Sequence, residues 1–218
     1  MGLLAQQLAI EVTGQNIANV QTEGYSRQEV NFEAKNARHT SLGQIGTGVR
    51  VVGIKRAHDK FLFSQILGEG DRLGEFGVRK DVFEQLEVLF SESNQQGINQ
   101  SLSKFFSTLQ DLSSNPTGLP ERSNVIAEAQ NLKITFNKLG ESIFQIQRNL
   151  DSTVKVETVK INSYLSEIAE LNRAIHGNEP GNYSANDLRD KRDKKVKELS
   201  ELIDLNVVDE MDGQISLT

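Results

Sequence analysis

Residues 120–176 read PERSNVIAEAQNLKITFNKLGESIFQIQRNLDSTVKVETVKINSYLSEIAELNRAIH. The chain's prolines, Pro116, Pro120 and Pro180, bracket this stretch, and inside it the one glycine is Gly140. Apolar residues recur at Val125, Ala129, Leu132, Phe136, Leu139, Ile143, Ile146 and Leu150, in alternating steps of 4 and 3. That spacing keeps one apolar ridge on one face of a helix. Val154 follows by a further 4, a stutter that locally unwinds such a seam. The ridge resumes at Ile161, Leu165, Ile168, Leu171 and Ile175. One helix over this stretch would be roughly 80 Å long at about 1.5 Å per residue. The competing reading is a hairpin broken near Gly140 or around Leu150–Thr153. In an unbroken seam, Val125, Leu132, Phe136, Leu139, Ile143, Ile146 and Leu150 form a helix-packing core. Ile143→Asp would then bury an unpaired charge and cost several kcal/mol.

Working outward, composition narrows the class. A net charge of -6 gives no electrostatic reason to expect a nucleic-acid partner. Hydrophobic content of 37% with 6% aromatic residues suits helical packing better than a thick globular core. No run approaches 18 uninterrupted apolar residues, so no membrane insertion is expected. No basic leader followed by an apolar segment begins the chain, so no cleaved signal peptide is expected. There are no cysteines, which excludes disulfides and thiolate metal sites.

The N-terminal segment, residues 3–20, carries Leu3, Ile10 and Ile17 seven apart, flanked by Leu4, Leu8, Val12 and Val20. This is a narrow helical stripe that needs a partner, because a short helix alone is marginal in water. Thr22-Glu23-Gly24 signals a turn with glycine at a positive φ. Tyr25–Phe32 alternates imperfectly, as a strand does. Gly43–Gly48 is glycine-rich, but its spacing matches no phosphate loop. It leads into a second strand, in which Val49, Val51 and Gly53 face one way and Arg50, Val52 and Ile54 the other. The two strands are expected to pair antiparallel, joined by a polar connector over Lys35–Ser41.

The body is helical. Lys60–Phe90 reads as a long helix weakened in its middle by Gly68, Gly70, Gly74 and Gly77. Ile98, Leu102, Phe105, Phe106, Leu109 and Leu112 mark another, stopped by Asn115-Pro116. Beyond Gly177, Ser184 with Asp187 resembles a capping box opening a helix over Ala185–Ile203. Its charge run, Arg189–Lys195, reads as a solvated face. Asp212-Gly213 is a hairpin signal, and the chain stops within the return strand. The fold class expected is mainly α: an elongated bundle of long helices with an N-terminal helix and small β-hairpin elements. Two regions are expected, 1–57 as the N-terminal helix with its extended segment and 58–218 as the elongated helical domain ending in the hairpin.

Catalytic chemistry has no foothold. The histidines, His39, His58 and His176, lack ligand spacing, and no nucleophile elbow, metal motif or cofactor loop occurs. No enzyme, metal or cofactor is expected.

The run Asn16-Ile17-Ala18-Asn19-Val20-Gln21-Thr22-Glu23-Gly24-Tyr25-Ser26-Arg27-Gln28 resembles the N-terminal signature of bacterial flagellar rod, hook and hook-associated proteins. Ser26-Arg27-Gln28 is similar to the hook-associated branch, as are Gly46–Asp59 and Asn186–Asp193. Gln21 and Glu23 depart from the Asn and Pro common at those places. The resemblance makes Asn16, Ile17, Asn19, Thr22, Gly24, Tyr25, Ser26, Arg27 and Gln28 the candidate assembly motif. It implies a structural subunit at the hook–filament junction, outside the cell and exported without signal cleavage, of which this chain is an N-terminal fragment. It implies as partners copies of itself, the flagellar hook protein, hook-associated protein 3 and the flagellar export apparatus. The alternatives are a hook or rod subunit, or a coiled-coil binding module outside the flagellum.

Overall fold

A computed structural model of the chain describes residues 2–41, 43–91, 97–179, 184–210 and 212–218. The fold is mainly α. In chain order its elements are α1 (Gly2–Ala18), β1 (Gln28–Ala34), β2 (Arg38–Thr40), β3 (Gly43–Ile45), β4 (Val49–Arg56), α2 (Lys60–Phe90), α3 (Ile98–Ser114), α4 (Leu119–Asn178), α5 (Asn186–Ser200), β5 (Val207–Asp209) and β6 (Ile215–Leu217). The strands form three antiparallel pairs, β1 with β4, β2 with β3 and β5 with β6. The connector expected over Lys35–Ser41 therefore contains a strand of its own, β2. The polar stretch between α2 and α3, expected from the sequence to be a loop, lies largely outside the described residues. Packing divides the chain into two compact units, residues 1–74 with 159–218 and residues 75–158.

Residues 120–176 lie within one helix. α4 runs 60 residues without interruption, through Gly140 and through Leu150–Thr153, so the hairpin reading is overturned. An added Cβ at Gly140 would meet nothing within 4 Å. That glycine marks neither a close approach nor a break. Glu121 sits in the first turn, where the helix dipole favours a carboxylate. The start of α2 is capped by Asp59, whose Oδ1 accepts the Phe61 and Leu62 amides at 2.9 and 3.1 Å.

The core of the first unit is built by the second half of the α4 ridge. Leu67 of α2, Ile168 of α4, Val196 and Leu199 of α5, Leu205 and Ile215 form one buried cluster, with Phe63, Ile161, Tyr164, Ile203, Val207 and Leu217 against it. Ile175 is fully buried as well. Two glycines of α2 let α5 approach. A Cβ at Gly74 would lie 2.1 Å from the Glu201 carbonyl oxygen, and one at Gly70 would lie 2.6 Å from Ser200 Oγ. What reads in the sequence as helix-weakening glycine is the space that α5 occupies.

The first half of the ridge behaves differently. In the second unit Val125, Leu132, Leu139, Ile146 and Leu150 are half-buried, while Phe136 and Ile143 are 49% and 40% exposed. A charge at Ile143 has water within reach, so the large penalty expected there does not apply. Ile175→Ala is expected to destabilise by about 2–5 kcal/mol, the range for a buried aliphatic truncation. Ile143→Asp is expected to cost no more than about 1 kcal/mol. Urea unfolding midpoints of the two variants check this, and a larger loss at Ile143 would contradict it.

Candidate functional site

The candidate motif folds around one side chain. Asn16 lies on α1, and its carboxamide faces the backbone of Gln28 at the start of β1. Nδ2 donates to the Gln28 carbonyl at 2.9 Å, and Oδ1 accepts the Gln28 amide at 2.9 Å. A carboxamide presents a donor and an acceptor side by side, as a peptide group does. Asn16 thus pairs with the first residue of β1 much as a neighbouring strand would. The same Oδ1 accepts the Tyr25 hydroxyl at 2.9 Å. Burial, then the Asp187 and Asp190 carboxylates, push the Tyr25 phenol up, which keeps it a neutral donor.

The turn between Asn16 and Gln28 is made locally. Asn19 Nδ2 donates to the Gln15 carbonyl at 3.0 Å, and its Oδ1 accepts the Thr22 hydroxyl at 3.1 Å. The Thr22 amide bonds the Asn19 carbonyl, and the Tyr25 amide bonds that of Thr22. Gly24 has φ +83°, as its place in the turn anticipated. The side chains of Ile17 and Arg27 make none of these bonds, though their carbonyls accept the Val20 and Ala57 amides. Ile17 is 69% exposed, and Arg27 makes an exposed pair with Glu29.

What anchors the motif to the rest of the unit is α5. The Ser26 amide donates to Asp190 Oδ2 at 3.0 Å, and Gln28 Nε2 donates to Asp187 Oδ1 at 3.3 Å. Arg56 Nη1 donates to Asp190 Oδ1 at 2.8 Å. Arg56 Nη2 lies 2.7 Å from Asp193 Oδ2, an ion pair without hydrogen-bond alignment. Side chains of Arg56 and Asp190 are each 8% exposed. Asn186 donates to the Ile54 carbonyl at 3.1 Å. His58 borders the group, 3.8 Å from Asp193. Burial and the Arg56 charge hold it below its ordinary value and so neutral.

A β-bulge delivers Arg56 to this site. Asn31 pairs with Gly53 and Phe32 with Val51, which leaves Val52 extra. The alternation expected along β4 therefore slips. Val49, Val51 and Gly53 face inward, and beyond the bulge Ile54 and Arg56 do too. Strict alternation had put Ile54 on the outer face.

The reading of Arg189–Lys195 as a solvated face is also corrected. Asp190 is 7% exposed and Arg192 is 2% exposed. Arg192 Nη1 donates to Asn172 Oδ1 at 3.1 Å and to the Gly213 carbonyl at 2.8 Å. Asn172, on α4, repeats the Asn16 device: Nδ2 donates to the Ile215 carbonyl and Oδ1 accepts the Ile215 amide. A signal was present in the spacing. Arg189, Arg192, Val196, Leu199 and Ile203 follow the 3-4-3-4 rhythm of a single buried face. Ser184 does not cap α5. The cap residue is Ala185, which makes no side-chain cap bond. Its amide is instead bonded by Glu179 Oε1 at 2.8 Å, and Arg189 grips that carboxylate at 2.7 and 2.6 Å.

The arrangement can hold a segment in place. Among the described residues no group of acidic or histidine side chains is placed to hold a metal ion. Nor is any described helix long and apolar enough to cross a membrane.

A family model described as the flagellar hook-associated protein FlgK helical domain matches residues 83–218. The chain belongs to the FlgK family of flagellar hook-associated proteins. A second model, the flagella basal body rod protein, matches residues 2–25, which hold α1 and the turn. Flagellar hook-associated protein 1 of Bacillus subtilis is 35% identical over 213 residues, covering 94% of this chain and 42% of that protein. The Salmonella typhimurium protein of the same name is 29% identical over 174 residues, covering 80% of this chain and 31% of its own length. Among solved structures, that of the flagellar hook junction protein FlgK from Burkholderia pseudomallei superposes with a TM-score of 0.62 at 26% identity, over 71% of this chain and 27% of that one. This chain thus spans less than half the length of these FlgK relatives.

Two variants test the interlock. Asp190→Ala leaves buried Arg56 with Asp193 as its remaining carboxylate and takes the acceptor from the Ser26 amide, and is expected to destabilise by about 2–3 kcal/mol. Tyr25→Phe, which removes a single hydroxyl contact, is expected to cost about 1 kcal/mol. Equal unfolding midpoints for Asp190→Ala and the parent would contradict the interlock. Glu179 sets a pH dependence. The Arg189 hydrogen bond, the largest cause, holds its carboxyl below the ordinary 4.5. A depressed folded value gives stability that is present above about 4.5 and lost as pH falls through the folded value. Melting temperature followed from neutral to acid pH is expected to fall less steeply in Glu179→Gln than in the parent.

Proposed function

We propose that this chain is the N-terminal part of a structural subunit of the bacterial flagellum, placed at the hook–filament junction. Its role is mechanical, with side-by-side packing and no turnover. The observation that carries this reading is the FlgK helical-domain match, joined to an α1 whose apolar ridge is bare. Leu3, Ile10 and Ile17 are 87%, 72% and 69% exposed. The inner face of α1, with Ala5 and Val12 buried, is already taken by packing within the unit. The ridge that remains is the natural contact for another helix.

On this reading, residues 1–57 form the inner assembly and export region. The partners are copies of this chain, the flagellar hook protein on one side, hook-associated protein 3 on the other, and the flagellar export apparatus during secretion. The motif Asn16, Ile17, Asn19, Thr22, Gly24, Tyr25, Ser26, Arg27 and Gln28 sets how α1 lies on β1. The interlock supplies the reason: Asn16, Tyr25 and Gln28 fix the angle between α1 and β1.

Deletion of the gene in its host tests the assignment. Loss of filaments with hooks intact is the expected outcome. Loss of hooks would point to a hook or rod subunit, and unchanged motility to a binding module outside the flagellum.

A further inference from the structure

α2 and α4 are the helices by which the chain passes from one unit to the other, α2 after Gly74 and α4 after Thr158. Both run bare at those places. Residues 75–81 of α2 are all exposed. So are residues 151–160 of α4, apart from the half-buried Glu157. Most of the stability of a helix in a protein comes from packing of its apolar face, and these two stretches have little of it.

Their sequences do not make up the difference. Thr153, Val154, Val156, Thr158 and Val159 place five β-branched residues among seven, and each loses side-chain freedom inside a helix. The Thr153 and Thr158 hydroxyls turn back onto the Asn149 and Val154 carbonyls, at 3.1 and 2.7 Å. Such bonds compete with the helix ladder and bend it. In α2, Gly77 lies in the middle of the bare stretch, and a Cβ there would meet nothing within 4 Å. Gly70 and Gly74 make room for α5, whereas Gly77 makes room for no neighbour and weakens the helix.

The bare part of α4 is not a ridge awaiting a cover. After Leu150 the stutter at Val154 interrupts the seam, and the next half-buried ridge position is Ile161. Val154 and Val156 lie about 200° apart around the helix, so one element laid alongside cannot bury both. We propose that residues 75–81 and 151–160 form a flexure, at which α2 and α4 bend and open while the packed segments on either side of each stay folded. Opening free energies differ along a protein, and stretches with few buried contacts open first. A flexure gives a load-bearing chain compliance at a defined place and spares its core. The proposal does not rest on the flagellar assignment, which the deletion phenotype decides separately.

The chain has no cysteine, so paired spin labels report distance without background. Lys138→Cys with Glu170→Cys puts labels at exposed positions of α4 on either side of the bare stretch, about 48 Å apart along a straight helix. Ser123→Cys with Lys138→Cys is the control, lying wholly before it. The distance distribution of the first pair is expected to be at least twice as wide as that of the control. The variant Val154→Ala/Val156→Ala/Val159→Ala changes exposed side chains alone and is expected to narrow it. Hydrogen exchange gives an independent reading. Amides of residues 155–160 are expected to exchange at least tenfold faster than the Ile168 amide, and Gly77→Ala to slow those of residues 78–81 about fivefold. A first pair as narrow as the control would overturn the proposal, as would a width that the alanines leave unchanged. So would exchange at residues 155–160 as slow as at Ile168.

Discussion

The Arg56–Asp190 pair is the contact on which the N-terminal part of this protein depends. It joins residues 134 apart in sequence, with both side chains 8% exposed. A buried pair is weak evidence of net stability, since both charges lose water. What it gives is position. Asp190 spends one oxygen on Arg56 and the other on the Ser26 amide, so a strand, a turn and a helix must all be in register for either bond to form. The β4 bulge at Val52 exists in the same sense: it turns Arg56 inward to where Asp190 waits.

Around this pair, helix side chains do the work of absent strands. Among the described residues β1 and β6 each lie in a two-stranded ribbon, so each has an edge with no described strand beside it. An unpaired buried edge is costly, because peptide groups need partners. Asn16 satisfies Gln28 on the first, and Asn172 satisfies Ile215 on the second. Two helices are thereby tied to two ribbons by the same chemistry, at opposite ends of the sequence. For a FlgK-family chain this is a consistent picture. The turn that follows α1 is fixed by directional bonds, while the outward ridge of α1 is left bare.

Much of the fold was legible. The 4-3 rhythm of residues 125–175 gave α4 its length, and Asp212-Gly213 gave the last hairpin. The glycine spacing and Asn16–Gln28 motif placed the first ribbon and its turn. Three things were not legible. The inward turn of Arg56 needed the bulge, which depends on pairing with β1 and not on the β4 sequence alone. The burial of Asp190 and Arg192 was hidden because a run of alternating charge ordinarily faces water. Only its phase with Val196 and Leu199 told otherwise. The shallow burial of Phe136 and Ile143 was hidden for the opposite reason. Periodicity shows that a face is apolar, not how much of it is covered.

Native-state hydrogen exchange at the Ser26 and Gln28 amides tests the central claim most directly. Both amides are held by side chains of distant elements, Asp190 and Asn16, and by no helix or strand ladder of their own. If the interlock fixes the motif to the core, both exchange as slowly as the Val196 amide in the middle of α5, opening only when the unit unfolds. Exchange of Ser26 and Gln28 at the rate of an open loop, with Val196 still protected, would show that the motif rests on the core without being held by it.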